Sequence, residues 1–119
     1  MICRLATCDD ADREVDDVIK AFGNNKEYIF WGNKLACDCD FLFIHSQGDS
    51  IIKGILKVRT VKKKEEINKE DFLLHIPNRW PKEITYNKYF LIERAKKVKG
   101  KSVSAKEYFA KRRKMGSAA

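Results

Sequence analysis

The chain has 119 residues, 44% of them hydrophobic and 35% charged, which fits one soluble globular domain and excludes a disordered chain. No window approaches 18 uncharged apolar residues, which excludes a membrane-spanning helix; Met1-Ile2-Cys3-Arg4 opens no apolar stretch of signal-peptide length, so the expected compartment is the cytoplasm. The net charge of +8 is lopsided, with 5 Lys/Arg against 9 Asp/Glu in residues 1–40 and 20 against 8 in residues 41–119, an asymmetry that points to a polyanionic partner.

Ile2-Cys3-Arg4-Leu5-Ala6-Thr7 alternates apolar with small or charged residues and predicts a short strand. A helix capped by Asp9 or Asp10 is expected next, because Ala11, Val15, Val18, Ile19 and Phe22 share one apolar face. Asp12, Glu14, Asp16 and Asp17 crowd its early turns, where the helix dipole favours anions, and Gly23-Asn24-Asn25 ends it. Tyr28-Ile29-Phe30-Trp31 reads as a strand that Gly32-Asn33 turns or breaks. Phe41-Leu42-Phe43-Ile44-His45 is a nearly continuous apolar run and predicts a strand buried on both faces, followed by a hairpin turn over residues 46–50. Ile51 to Val61 is expected as a long strand. There Ile52, Ile55 and Val58 break strict alternation, and Gly54 marks a bulge or a close backbone approach.

Residues 62–66 form a charged turn, and Asn68 caps one or two helical turns ending at Leu74. Pro77 and Pro81 bracket an extended loop, Asn78-Arg79-Trp80. The last strand starts at Tyr89-Phe90-Leu91-Ile92 and continues to Val98; Gly100 ends it, and Ser104 caps a basic helix through Lys114. Residues 1–114 are expected as one domain and 115–119 as a frayed tail or cloning remnant. Many strands with few helices predict an α+β fold: a small, strongly curved sheet or β-barrel flanked by two or three helices.

This element order, with the motifs at its joints, resembles the PUA-like superfamily and, within it, the YTH and EVE domains. The resemblance runs over roughly residues 1–98. It rests on the first strand with Thr7-Cys8-Asp9-Asp10 opening a helix, and on Tyr28-Ile29-Phe30-Trp31-Gly32-Asn33-Lys34-Leu35 with its strand-ending tryptophan. It rests equally on the hairpin from Phe41 to Val58 with its internal glycine, and on Arg79-Trp80-Pro81-Lys82-Glu83-Ile84, which is similar to the segment holding a second binding-site tryptophan. The resemblance implies a PUA-like fold that binds DNA or RNA and inspects one flipped, modified base. N6-methyladenine is the leading ligand and modified cytosine the alternative. It also implies that such a module is fused to, or partnered with, the motor or nuclease of a McrBC-type, modification-dependent restriction system. YTH domains supply a third wall to their aromatic cage; this chain has no third tryptophan, which leaves Phe72, Leu73, Leu74 or His75 to close it.

The residues themselves carry the same chemistry. Trp31 and Trp80, the only tryptophans, are expected to sandwich the base, since each base–aromatic stack contributes about 1–3 kcal/mol. Thr7, Asn33, Ser46 and backbone groups around Gly32 are the candidates for base-edge hydrogen bonds. Lys53, Lys57, Arg79, Lys82, Arg94, Lys96 and Lys97 are the candidates for sequence-independent phosphate contacts. Cys3, Cys8, Cys37 and Cys39 follow a C-x4-C and C-x-C pattern that suits a zinc site poorly, so reduced thiols with no metal and no cofactor are expected. No nucleophile arrangement or phosphate-binding glycine loop appears, so no catalytic residue is assigned. The enzymatic alternative is an ASCH-like hydrolase of a small modified nucleoside, with Lys34 and Glu27 or Glu83 in its mouth; a plain RNA-binding PUA-like protein and a protein-interaction module docking through the apolar hairpin edge are the others.

Overall fold

The computed structural model describes residues 1–23, 26–34, 36–48 and 51–98, and it is α+β. Five strands form one mixed sheet: β1 (Cys3–Cys8), β2 (Ile29–Gly32), β3 (Phe41–Ser46), β4 (Ile52–Lys63) and β5 (Lys88–Lys97). Two helices accompany it, α1 (Ala11–Phe22) and α2 (Lys69–Leu74), with a single 3-10 turn at Lys64–Glu66. The expected basic helix from Ser104 to Lys114 and the tail at 115–119 lie outside the described residues. No helix among the described residues is long and apolar enough to cross a membrane.

The strand order is β1-β3-β4-β5-β2. β1 and β3 run parallel and every other pair is antiparallel. The expected barrel is therefore corrected to an open sheet. β1 and β2 sit at opposite edges and do not pair, and the short β2 is instead covered by the end of α2, where the Phe30 N–H donates to the His75 carbonyl at 2.7 Å.

α1 forms where the spacing predicts it. Asp10 caps it by accepting the Arg13 N–H, and Ser46 Oγ accepts the Ala11 N–H at 2.9 Å, so two of the free N-terminal donors are satisfied. Gly23 closes the helix in an ordinary right-handed conformation, with φ −60°. Val15 and Val18 pack on the sheet with Ala6, Leu42, Ile44, Leu56, Val58 and Ile92. α2, capped by Asn68, lies on the other face with Phe30, Phe72, Tyr89 and Leu91.

β4 departs from strict alternation, as expected. Gly54, Leu56 and Val58 face α1, whereas Ile52, opposite His45, joins Phe43 and Ile55 on the other face. The switch is a bulge at Lys53, beside Gly54, since Ile44 pairs with Gly54 and His45 with Ile52; a further irregularity lies between Lys57 and Thr60 against β5. Gly54 is also a close approach: a Cβ there would lie 2.5 Å from Val15 Cγ2. The loop between the prolines, by contrast, is not extended. It is a turn closed by the Trp80 N–H to the Pro77 carbonyl at 3.0 Å.

Candidate functional site

A cleft of about 1030 Å³ opens beside the α1 face of the sheet, between β1, the first turns of α1, the end of β2 and the Pro77–Pro81 turn. Trp31 forms part of its floor. It is inward-facing on β2, 3% exposed, and its Nε1–H is buried without a hydrogen-bond partner. Trp80, half-buried, is carried to it by the proline-bounded turn. The two rings stand 6.1 Å apart at 44°. That is a tilted contact between the indoles rather than two parallel walls with a base-width slot between them.

Glu14, on the cleft side of α1, ties the pair together. The Trp80 Nε1–H donates to Glu14 Oε2 at 3.2 Å. Burial pushes the Glu14 carboxyl above its ordinary range, and the Asp17 carboxylate adds to this, while the Trp80 and Trp31 N–H groups and Arg13 favour the ionised form. Trp31 thus faces Glu14 closely enough to influence its charge, yet outside hydrogen-bond geometry. Cys8, also on the wall, has its thiol pushed up to about 12 by burial and then by Glu14 and Asp9, so it stays protonated and unreactive.

Of the expected base-edge residues, Thr7, Gly32 and Asn33 line the cleft. The Thr7 hydroxyl is engaged: its Oγ1 is 3.1 Å from His45 Nε2, while His45 Nδ1–H donates to the Ser46 carbonyl, which makes Nε2 the acceptor in the neutral ring. Gly32 is buried under Tyr86 and Tyr89, whose rings occupy the space a Cβ would need, so close packing accounts for the glycine. Ser46 lies outside the cleft lining and caps α1 instead.

The seven expected phosphate contacts separate into three groups. Arg79 reaches the cleft, 4.0 Å from Asp17, and Lys82 follows in the same loop with Nζ on the Asn78 carbonyl at 3.3 Å. Lys53 and Lys97 turn to the acids of α1, Lys53 to Asp12 at 3.9 Å and Lys97 to Asp16 at 3.1 Å. Lys57, Arg94 and Lys96 lie on the opposite face of the sheet. They do not form one track with the tryptophans.

None of the expected third-wall residues lines the cleft. Phe72 is buried in the second core cluster, Leu73 and Leu74 are exposed, and His75 stacks on Tyr28 at 4.1 Å. Tyr86 and Phe90 are the other aromatic residues that line the cleft. Lys34 lines the cleft but neither Glu27 nor Glu83 does, so the pairing of Lys34 with Glu27 or Glu83 is not brought together there. Among the described residues, no three His, Cys, Asp or Glu side chains converge as a metal site requires, and all four cysteines are free thiols. Comparison with family models, curated proteins and solved structures finds no match to this chain.

Proposed function

We propose that this domain binds nucleic acid and receives one extruded base, carrying a modification, in the cleft at Trp31 and Trp80. The observation that carries the reading is the convergence of the only two tryptophans, 49 positions apart in sequence, on one cleft that also holds Asn33, Arg79 and the half-buried Glu14. In this reading Trp80 is the stacking wall and Trp31 the floor. The base enters against the outer face of Trp80, since the contact between the rings leaves no slot between them. Glu14 Oε accepts from an exocyclic amine of the base, and the unpartnered Trp31 N–H meets a ring nitrogen or carbonyl. The motifs shared with YTH and EVE domains favour N6-methyladenine, with modified cytosine second. Discrimination by one methyl group in an apolar slot is limited to about 1–3 kcal/mol, so the polar groups at Glu14, Asn33 and Trp31 must select the base itself.

The test is a panel of DNA and RNA oligonucleotides, methylated and unmethylated, titrated against the chain at one ionic strength. Preference for one modified base, with tryptophan fluorescence quenched on binding, supports the reading. Equal affinity across the panel removes base inspection while leaving general nucleic-acid binding intact.

A further inference from the structure

On the sheet face away from α1, the register lines up two cross-strand rows. Cys3, Phe41, Lys57 and Arg94 form one; Leu5, Phe43, Ile55 and Lys96 form the next. Paired residues project to the same side of a sheet, so each row runs from apolar groups on β1 and β3 to a cation on β5. α2 does not cover this end: its cluster is Phe30, Ile67, Phe72, Ile76, Tyr89 and Leu91, with no residue of either row. A cavity of about 320 Å³ opens there, with Phe41, Phe43 and Ile55 lining its apolar part and Lys57, Arg94 and Lys96 around it. It shares no lining residue with the tryptophan cleft.

We infer that this face is a second binding surface, distinct from the cleft, that holds a single-stranded nucleic acid with a base on the Phe41 ring and phosphates on Lys57, Arg94 and Lys96. Charge selects a polyanion. Glu93, next to Arg94 in sequence, is engaged by Lys57 at 3.5 Å and Arg59 at 3.8 Å, and Arg94 and Lys96 are exposed. The chain's own residues 99–119 hold seven Lys/Arg against one Glu, so charge gives them no pull toward these cations. The half-buried phenyl ring selects a nucleotide over an acidic peptide, because every base offers a π-face to stack on and a carboxylate chain does not. Arg94 and Lys96 are two residues apart on one face, about 7 Å along the strand, which lets successive phosphates of an extended strand meet successive cations. A duplex keeps its bases inward and cannot use the ring. The inference does not depend on base inspection in the cleft.

The experiment measures binding of fluorescein-labelled, unmodified dT15 and U15 by anisotropy between 50 and 300 mM salt, on the full chain. Arg94→Glu with Lys96→Glu should weaken both probes at least about tenfold, and the slope of log K against log salt should fall by about 0.7 for each phosphate no longer neutralised. Phe41→Leu keeps the apolar packing and removes the ring; it should cost about tenfold with the slope unchanged. The double reversal should leave the ratio of affinities for methylated over unmethylated oligonucleotide as it is in the wild type, which separates this surface from the cleft. Circular dichroism melts establish that each variant is folded. The inference is overturned if the double reversal leaves affinity unchanged, if it changes the ratio between methylated and unmethylated oligonucleotide, or if polyglutamate of equal charge displaces the probes as well as unlabelled dT15 does.

Discussion

Substituting Gly54 by alanine tests how α1 is seated on the sheet, and with it how the cleft is held. A Cβ at position 54 would lie 2.5 Å from Val15 Cγ2, 2.8 Å from Val15 Cγ1 and 3.2 Å from the Lys96 carbonyl oxygen. Carbon atoms in contact settle at about 3.5–4.0 Å, so a gap of about 1 Å has to open. Val15 is 1% exposed, and as a β-branched helical residue it is confined to one main rotamer; with both γ-carbons in the way, rotation does not clear the clash. The Lys96 carbonyl belongs to the adjacent strand and cannot retreat without breaking the β4–β5 ladder. The helix must therefore lift, and it carries Glu14 and its 3.2 Å bond to Trp80. Overpacking of this kind costs about 1–3 kcal/mol, and the backbone on the far side argues for the upper half. At about 4–8 °C per kcal/mol for a small domain, the melting temperature should drop by about 10–20 °C. Urea denaturation followed by tryptophan fluorescence reads both the midpoint and the disturbance at Trp80. Val15→Ala in the same chain removes the clashing carbons. The double variant should be more stable than the sum of the two single losses by about 1–2 kcal/mol, a coupling available only to residues in contact. A Gly54→Ala midpoint equal to wild type, or strict additivity in the cycle, would refute this packing.

Three further outcomes follow from the site. Trp80→Ala should cost on the order of 1–3 kcal/mol in binding a modified oligonucleotide and much less for the unmodified one, with little change in melting temperature; an equal loss for both oligonucleotides ends the stacking role. Glu14→Gln should flatten the pH dependence of stability. With its folded pKa raised, Glu14 contributes fully below its ordinary value of 4.5 and loses that contribution as pH rises through the raised value, so the glutamine variant should lack this decline and be no less stable at pH 7. An identical slope in urea midpoints across that window would show that Glu14 is not desolvated. Metal analysis of protein purified without chelator should find no stoichiometric zinc, in keeping with a Cys39 thiol pushed up to about 11 by burial and the neighbouring Cys37, whereas a zinc ligand is a thiolate; one zinc per chain would overturn the reading of the cysteines.

What was legible in the sequence is what is local. α1 could be read from Asp10 and the spacing of Ala11, Val15 and Val18, and α2 from Asn68, because caps and periodicity act within a few residues. Gly54 announced a close approach, but its partner Val15 lies 39 positions away and no local rule names it. The same glycine marked the bulge at Lys53 that carries Ile52 to the face opposite Leu56. The parallel pairing of β1 with β3 and the opposite-edge placement of β1 and β2 are long-range choices with no motif of their own. Glu14 was missed as a cleft residue because an acid in a first helical turn already has a sufficient explanation in the helix dipole. Tyr86 was missed because it precedes β5 in a polar loop. Lys96 and Lys97 are neighbours in sequence and go to opposite faces; alternation requires that much, but which face matters is known only once α1 is seen to cover one of them.

The distribution of charge between the two faces makes the roles separable. Four basic side chains line the cleft, Arg4, Arg13, Lys34 and Arg79, against four acidic ones, Asp9, Asp10, Glu14 and Asp17, so its formal balance is near zero. A cleft of that kind contributes little counterion release, and what it discriminates must come from stacking, shape and hydrogen bonds. On the other face, by contrast, the exposed Arg94 and Lys96 line a cavity together with Lys57. Absolute affinity and base preference should therefore respond differently to ionic strength. As salt rises from 50 to 200 mM, affinity for every oligonucleotide should fall together, while the ratio between modified and unmodified strands stays constant within about twofold, because the contacts that differ between them release no counterions. A ratio that collapses with salt would place the discriminating contacts among the phosphates and deny the cleft its part in recognition.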